Sequence, residues 1–230
     1  MKLGVMICAF RAKDSIKGII KQYESIADKI VVAVSKKSWK GNLEDEGTFE
    51  EALETSATVS YDFWKEEHEQ RNYAMEYLRD MDYVIISHCD TYFTKSDLRK
   101  LKKMKLEDLH YTCRVLTYFR DLETVIDPNI SLPTIIVRSD AEFNFMINIE
   151  GQDTNPKELP ITCYHLSWTG SKNKIRDKIT SYSHADEISV DWLENVWNND
   201  SAVINLAPTN ATDYQGLRQD PLPDEIRAML

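Results

Sequence analysis

Leu3-Gly4-Val5-Met6-Ile7-Cys8-Ala9 is followed first by Asp14 with Ile16, Ile19, Ile20, Tyr23 and Ile26, and then by Ile30-Val31-Val32-Ala33-Val34. The first run is apolar almost throughout and short, which reads as a strand buried on both faces. The middle group has the three-and-four spacing of an amphipathic helix, with Asp14 as its N-cap. The last run is β-branched and reads as a second strand. Strand, helix and strand in this order imply a right-handed crossover between two parallel strands.

Working outward, Thr58 to Tyr61 reads as a third short strand. Glu66 to Arg79 reads as a helix carrying Gln70, Tyr73, Ala74, Tyr77 and Leu78 on one face. Tyr83 to Ser87 is another buried strand, and it runs directly into His88-Cys89-Asp90. The class is therefore α/β, a mostly parallel open sheet flanked by helices. Ser35 to Thr55 interrupts the pattern with Glu44, Asp45, Glu46, Glu50, Glu51 and Glu54, and reads as a solvated acidic loop. After Asp90 come a basic helix over Ser96 to Met104 and strands over Tyr111–Phe119, Thr134–Val137, Asn144–Ile149 and Ile161–Ser167. Two helices follow, one marked by Ile175, Ile179 and Tyr182, the other by Val190, Leu193, Val196 and Trp197. From Ala202 to Asp224 the chain reads as irregular.

With 230 residues the chain suits a single domain over 1–230, with a ligand-binding half over 1–93 and a second half over 94–230. Only 7 residues are glycine, so a glycine-rich phosphate loop is not expected. A net charge of −10 argues against a broad nucleic-acid surface, though not against one nucleotide held by a few groups. The four cysteines, Cys8, Cys89, Cys113 and Cys163, lack zinc or disulfide spacing and read as buried free thiols. No apolar run is long enough to span a membrane and no leader pattern is present, so the expected location is the cytoplasm.

Open parallel sheets bind ligands outside the carboxyl ends of their strands. That rule gathers Ala9, Phe10 and Arg11 after the first strand, Ser35, Lys36 and Lys37 after the second, and His88 and Asp90 after Tyr83–Ser87. Asp90 reads in two ways, as a turn cap or as the ligand of a cation. His165 ends a late strand and reads as structural or as a ligand. His184 suits a helix end, while His68 and His110 read as surface or loop residues.

Several strings resemble one family. Glu69-Gln70-Arg71-Asn72-Tyr73-Ala74, followed by Asp82 to Phe93, resembles the helix and acidic strand end of family-two nucleotide-sugar glycosyltransferases. Met6 to Arg11, Tyr164-His165-Leu166-Ser167-Trp168, Lys178 to Ala185, Asn205 to Thr209 and Leu222-Pro223 are similar to other parts of them. The resemblance implies an A-type glycosyltransferase fold and residues 1–93 as the nucleotide-sugar-binding half, leaving 94–230 for the acceptor and the C-terminal helices. The implied donor is a nucleotide-diphosphate sugar, UDP-sugar favoured, and the cofactor is Mn²⁺ or Mg²⁺. Asp90 matches the second acid of the family's acidic motif. His88 stands in place of the first, and His165 matches a late metal ligand; imidazole favours Mn²⁺. Arg11, Arg71, Lys36 and Ser35 are then expected near phosphate or base, with Phe10 stacked on the base and the Ala9 backbone at its edge. Asp140, Glu142 and Asp153 are the candidate acceptor bases. The acceptor is a carbohydrate or another hydroxyl, with nucleic acid disfavoured by charge. Two rival readings remain. One is a sugar-phosphate nucleotidylyltransferase, against which Ala9 to Lys13 lacks a glycine; the other is a degenerate binding module, which His88 and Thr91 favour.

Overall fold

In the computed structural model the described residues are 1–128, 133–145, 148–149, 156–181, 185, 188, 191–198, 203–204 and 215–230. The order is β1 Leu3–Ala9, α1 Ile16–Tyr23, β2 Lys29–Ser35, α2 Thr48–Leu53, β3 Thr58–Asp62, α3 Glu67–Glu76, β4 Tyr83–His88, β5 Thr91–Tyr92 and α4 Lys95–Lys103. The second half adds β6 His110–Arg120, β7 Thr124–Asp127, β8 Ile136–Arg138, β9 Phe143–Phe145, β10 Asn148–Ile149, β11 Lys157–Thr169 and α5 Lys172–Ser181. A π-helical turn at Leu193–Trp197, β12 Val203–Ile204, β13 Gln215–Gln219 and α6 Asp224–Arg227 follow.

The first half forms the parallel row β3-β2-β1-β4. Chain order reverses between β1 and β4, so the crevice outside their carboxyl ends is the topological switch point where such sheets hold ligands. β8 then pairs antiparallel with both β4 and β6. β11 runs parallel to β6, and at Tyr164 and His165 it also takes β5 antiparallel, opposite Tyr92 and Thr91. β7, β13 and β12 extend the sheet antiparallel beyond β6.

Alternation along the strands assigns each face its core. Leu3, Val5 and Ile7 of β1 pack with α1 residues Ile16, Ile19 and Ile20. Met6 lies on the other face with Ala74, Met75 and Leu78 from α3 and its end. A third cluster holds Phe119, Trp168, Ile175, Ile179 and Trp192, seating α5 on the sheet. The cap of α3 is a box formed by Glu66 and Glu69.

Five expectations change. The segment from Ser35 to Thr55 is not a plain solvated loop. Asp45 Oδ2 accepts the amides of Thr48 and Phe49 at 3.0 and 3.3 Å, and α2 follows a left-handed Gly47 at φ 85°. His110 is buried at the start of β6 rather than on a surface. α1 begins after Ser15, without an Asp14 cap. The expected strand over 144–149 is the antiparallel pair β9-β10, and β11 begins at Lys157, ahead of Ile161. Tyr182, Val190, His184 and the stretch Asn205 to Thr209 lie outside the described residues.

Candidate functional site

β4 ends at His88, beside the end of β1, where Cys8 is its register partner. The chain then turns through Cys89 and Asp90 into β5. That turn is held by the Leu166 amide, which donates to the Asp90 carbonyl at 2.8 Å. The pairing of β5 with β11 is what carries His165 and Ser167 to Asp90, at a stretch where the register of β11 against β6 shifts.

The Asp90 carboxylate has two different ends. Oδ2 accepts from the Ser167 hydroxyl at 2.7 Å. The same Ser167 oxygen accepts from Lys178 Nζ at 2.5 Å. A lysine ammonium only donates, so the polarity of this relay is fixed: Lys178 to Ser167 to Asp90. Lys178 Nζ itself stands 3.9 Å from Oδ2. Oδ1 is buried and makes no hydrogen bond to any described group. His165 Nε2 stands 3.8 Å from it, too far for a hydrogen bond. The other ring nitrogen, Nδ1, lies 3.4 Å from Thr117 Oγ1. Burial works to raise the Asp90 pKa, but His165, Lys178, His88 and the Ser167 hydrogen bond outweigh it and hold the carboxyl below the usual range. Burial also lowers His165, against the pull of Asp90, and lowers Lys178.

His88 is turned elsewhere. Its Nε2 lies 2.9 Å from Arg71 Nη2. Guanidinium has no acceptor, so the imidazole lone pair takes that hydrogen and is not available to a metal. Burial, then the Arg71 charge, pushes the His88 pKa down to about 4. The expectation of His88 as a metal ligand is corrected on this ground. Arg71 is fully buried and also pairs with Glu67 one turn back on α3, so it supports the floor of the crevice rather than meeting a phosphate. Its neighbour Asn72 bonds both ways to the backbone of Phe143, from Nδ2 at 2.7 Å and to Oδ1 at 2.8 Å.

Ala9 and half-buried Phe10 do sit at the end of β1 beside this turn. Arg11 follows with φ 47° and is consumed by acids: Glu46, Asp177 at 2.8 Å and the Glu44 carbonyl at 2.9 Å. Its amide goes to Asp45 at 2.9 Å. Arg11 thus clasps the 44–46 segment to α5 instead of facing a phosphate. Ser35 is buried and donates to the Lys37 carbonyl at 2.6 Å, which turns it away from a ligand. Lys36 lies over the Tyr61 ring on the β3 edge, 5.4 Å from its centre.

Two of the proposed bases, Asp140 and Glu142, are not brought to Asp90. Asp140 is ion-paired with Arg138 at 2.7 Å, and Arg138 is the register partner of Tyr83, where β4 begins. Five residues of strand, roughly 16 Å, separate that edge from His88. Glu142 lies 3.5 Å from Arg79, at the same remote edge. Asp153 lies outside the described residues.

Sequence reasoning missed Lys178 and Ser167 as site residues. Both stand in strings quoted for their resemblance, but nothing in spacing ties residue 178 to residue 90. Trp39 was also missed; its indole donates to Gln70 at 3.1 Å, over the end of β2.

Among the described residues no cluster of three or more His, Cys, Asp or Glu side chains is arranged to hold a metal, and no helix is long and apolar enough to cross a membrane. No protein-family model matches the chain. No curated protein matches it either. Among solved structures it is similar to glucosyl-3-phosphoglycerate synthase from Mycobacterium tuberculosis, in complex with Mn²⁺, UDP and glucosyl-3-phosphoglycerate. That match has 13% identity and TM-score 0.38, covering 51% of this chain and 44% of that one. It is similar to S. aureus TarS 1-349 in complex with UDP-GlcNAc, at 13% identity and TM-score 0.46, covering 75% and 59%. HddC from Yersinia pseudotuberculosis is similar at 11% identity and TM-score 0.44, covering 76% and 97%. The chain spans 44% of the synthase and 30% of a longer TarS structure, less than half of either. At these values the likeness carries nothing about donor, acceptor or metal.

Proposed function

We propose that the chain transfers a sugar from a nucleotide-diphosphate donor, a UDP-sugar by preference, to a hydroxyl acceptor at the crevice between β1 and β4. The observation that carries this reading is Asp90 Oδ1, a buried carboxylate oxygen with no hydrogen-bond partner, facing His165 Nε2 at 3.8 Å. A carboxylate oxygen and an imidazole nitrogen at that separation suit a shared cation when the ring turns its lone pair to Nε2.

A divalent ion fits that gap as a two-residue site. Mg²⁺ and Mn²⁺ are held by one or two protein ligands and keep positions for phosphate oxygens and water. Asp90 and His165 would hold it, and when bound it would supply Lewis-acid stabilisation of the departing diphosphate. The chain's own groups do the rest. Ser167 locks the carboxylate plane by its hydrogen bond, so Oδ1 stays aimed at His165. Arg71 holds the His88 ring against α3. Phe10, half-buried at the end of β1, offers a ring for the base. The acceptor is a carbohydrate or another hydroxyl in this reading.

The test is a thermal-shift series with UDP-, GDP-, CMP- and dTDP-sugars, with and without Mn²⁺. A ligand that binds only the folded chain raises its melting temperature. One nucleotide sugar should give a clear shift, and release of nucleoside diphosphate on adding acceptors should follow. No shift with any of them would sink the proposal; a shift without turnover would leave a binding module.

A further inference from the structure

We infer that the exposed side of α4 docks on an anionic lipid surface, through a row of unneutralised cations beside a partly apolar depression. From Lys95 to Lys105 six of eleven residues are Lys or Arg and one, Asp97, is acidic, in a chain whose net charge is −10. Half of these cations are neutralised. Lys100 pairs with Asp97 at 2.8 Å, Lys102 with Asp28 at 2.5 Å and Lys105 with Glu107 at 2.5 Å. Lys95, Arg99 and Lys103 are exposed and form no ion pair with any described group. These three stand four residues apart, so they make one line along α4, spaced about 6 Å and spanning about 12 Å. Like charges at that spacing repel and weaken a helix. Lys95 also lies in the first turn, where the helix dipole opposes a cation. The row costs α4 stability and gains no partner within the described chain, whereas an anion outside it relieves the repulsion.

Two depressions adjoin the row and share Lys103. The smaller, of about 230 Å³, lies among Ser96, Arg99, Lys100 and Lys103. The larger, of about 640 Å³, lies past the end of α4, where Met81, Met104 and Leu106 line it together with Lys103, Lys105 and Arg138. Its two acids are already engaged: Asp82 accepts the Lys2 amide at 2.6 Å, and Asp140 pairs with Arg138 at 2.7 Å. Cations beside apolar side chains match the boundary of a lipid layer, where anionic head groups lie over hydrocarbon. A nucleic acid would use the cations and leave the apolar lining unused, which favours lipid. The larger depression lies at the amino ends of β1 and β4, opposite the end that carries Asp90. Docking there leaves the crevice uncovered, so the inference stands apart from the proposed function.

Flotation with vesicles tests this, using pure phosphatidylcholine and equal parts phosphatidylcholine and phosphatidylserine, at low and at high salt. Wild type should float with the anionic vesicles at low salt, but not with the neutral ones and not at high salt. Arg99→Gln should weaken the binding about five-fold, the scale of one charge near an anionic membrane. The triple variant Lys95→Gln, Arg99→Gln, Lys103→Gln should weaken it about a hundred-fold, with a melting temperature no lower than that of wild type. A control triple with the same loss of charge at exposed positions elsewhere, Lys13→Gln, Lys21→Gln, Lys65→Gln, should float like wild type. Failure of wild type to float, undiminished floating of the α4 triple, or equal loss in both triples overturns the inference. A short DNA duplex bound as tightly as the anionic vesicles overturns it in favour of a nucleic-acid face, and self-association that the α4 triple abolishes overturns it in favour of a second copy of the chain.

Discussion

Arg71 Nη2 lies 2.9 Å from His88 Nε2, so of the two polar side chains at the end of β4 His88 is tied to α3 while Asp90 is tied through Ser167 to β11. His88 accepts from the guanidinium, while Asp90 keeps a buried oxygen, Oδ1, that takes no hydrogen bond from any described group. His88→Asn is therefore expected to preserve a Mn²⁺-dependent melting shift with a nucleotide sugar. Asp90→Asn should abolish that shift and His165→Ala should reduce it strongly. Equal loss in all three variants would put His88 back among the ligands.

Arg71 and Glu67 form a buried ion pair on successive turns of α3. Removing one member of such a pair strands the other charge in the interior, at a cost of about 3–5 kcal/mol. Arg71→Met should lower urea stability by that amount. The double variant Glu67→Leu with Arg71→Met should recover a large part of it, because no charge then needs solvation. Additive losses in the double variant would contradict this account.

Gly18 shows how position outweighs propensity. Alanine in mid-helix usually stabilises by about 1 kcal/mol over glycine. Here a Cβ would sit 2.8 Å from the Met229 carbonyl oxygen, which belongs to backbone and cannot rotate away. Gly18→Ala should destabilise by about 1–3 kcal/mol, read as a lower denaturant midpoint. A gain in stability would mean that the C-terminal segment moves aside freely.

Arg11 joins three pieces of chain. Arg11→Ala removes its contacts with Glu46, Asp177 and the Glu44 carbonyl. Amide exchange should speed up both in residues 42–48 and in α5, by the equivalent of about 1 kcal/mol. Exchange confined to one of the two segments would show that Arg11 does not couple them.

Asp28 gives a dependence on pH. Its carboxylate accepts from Lys102 at 2.5 Å and from the Leu3 amide at 2.8 Å, and these hold its pKa below the ordinary value. A depressed carboxyl pKa contributes stability above the unfolded value, near 3.9, and that contribution fades as pH falls through the folded value. Asp28→Asn should therefore be less stable than wild type at pH 7, by under about 1 kcal/mol because Asp28 is exposed to water. The difference should begin to shrink below about pH 4 and vanish once the pH is below the folded value. A difference that persists undiminished at pH 2 would exclude the electrostatic origin.

The parallel half was legible because three of its four strands, β1, β2 and β4, are buried on both faces. Leu3 to Ala9 and Tyr83 to Ser87 carry no alternation to confuse with an exposed strand, and α1 has a clean apolar stripe. Asp90 could be placed for the same reason, as the first acid after a buried strand. The remainder depended on contacts across long stretches of sequence. Arg11 looked like a phosphate ligand until Asp45, Glu46 and Asp177 surrounded it. Asp140 and Glu142 follow β8, but the antiparallel pairing of β8 with β4 carries them to the wrong edge. Lys178 is invisible to local reasoning, because its relation to Asp90 passes through the pairing of β5 with β11. The short α2 was hidden by its acidic composition and by a left-handed glycine at its start.

That same pairing sets an order of events during synthesis. Thr91 and Tyr92 find their strand partner only in Tyr164 and His165, and Lys178 follows later still on α5. A nascent chain that has emerged only through Phe93 carries Asp90 without the Leu166 amide, the Ser167 hydroxyl or the Lys178 charge. The crevice therefore cannot mature until translation has passed residue 178, and a ribosome stalled earlier displays a sheet with an unfinished mouth.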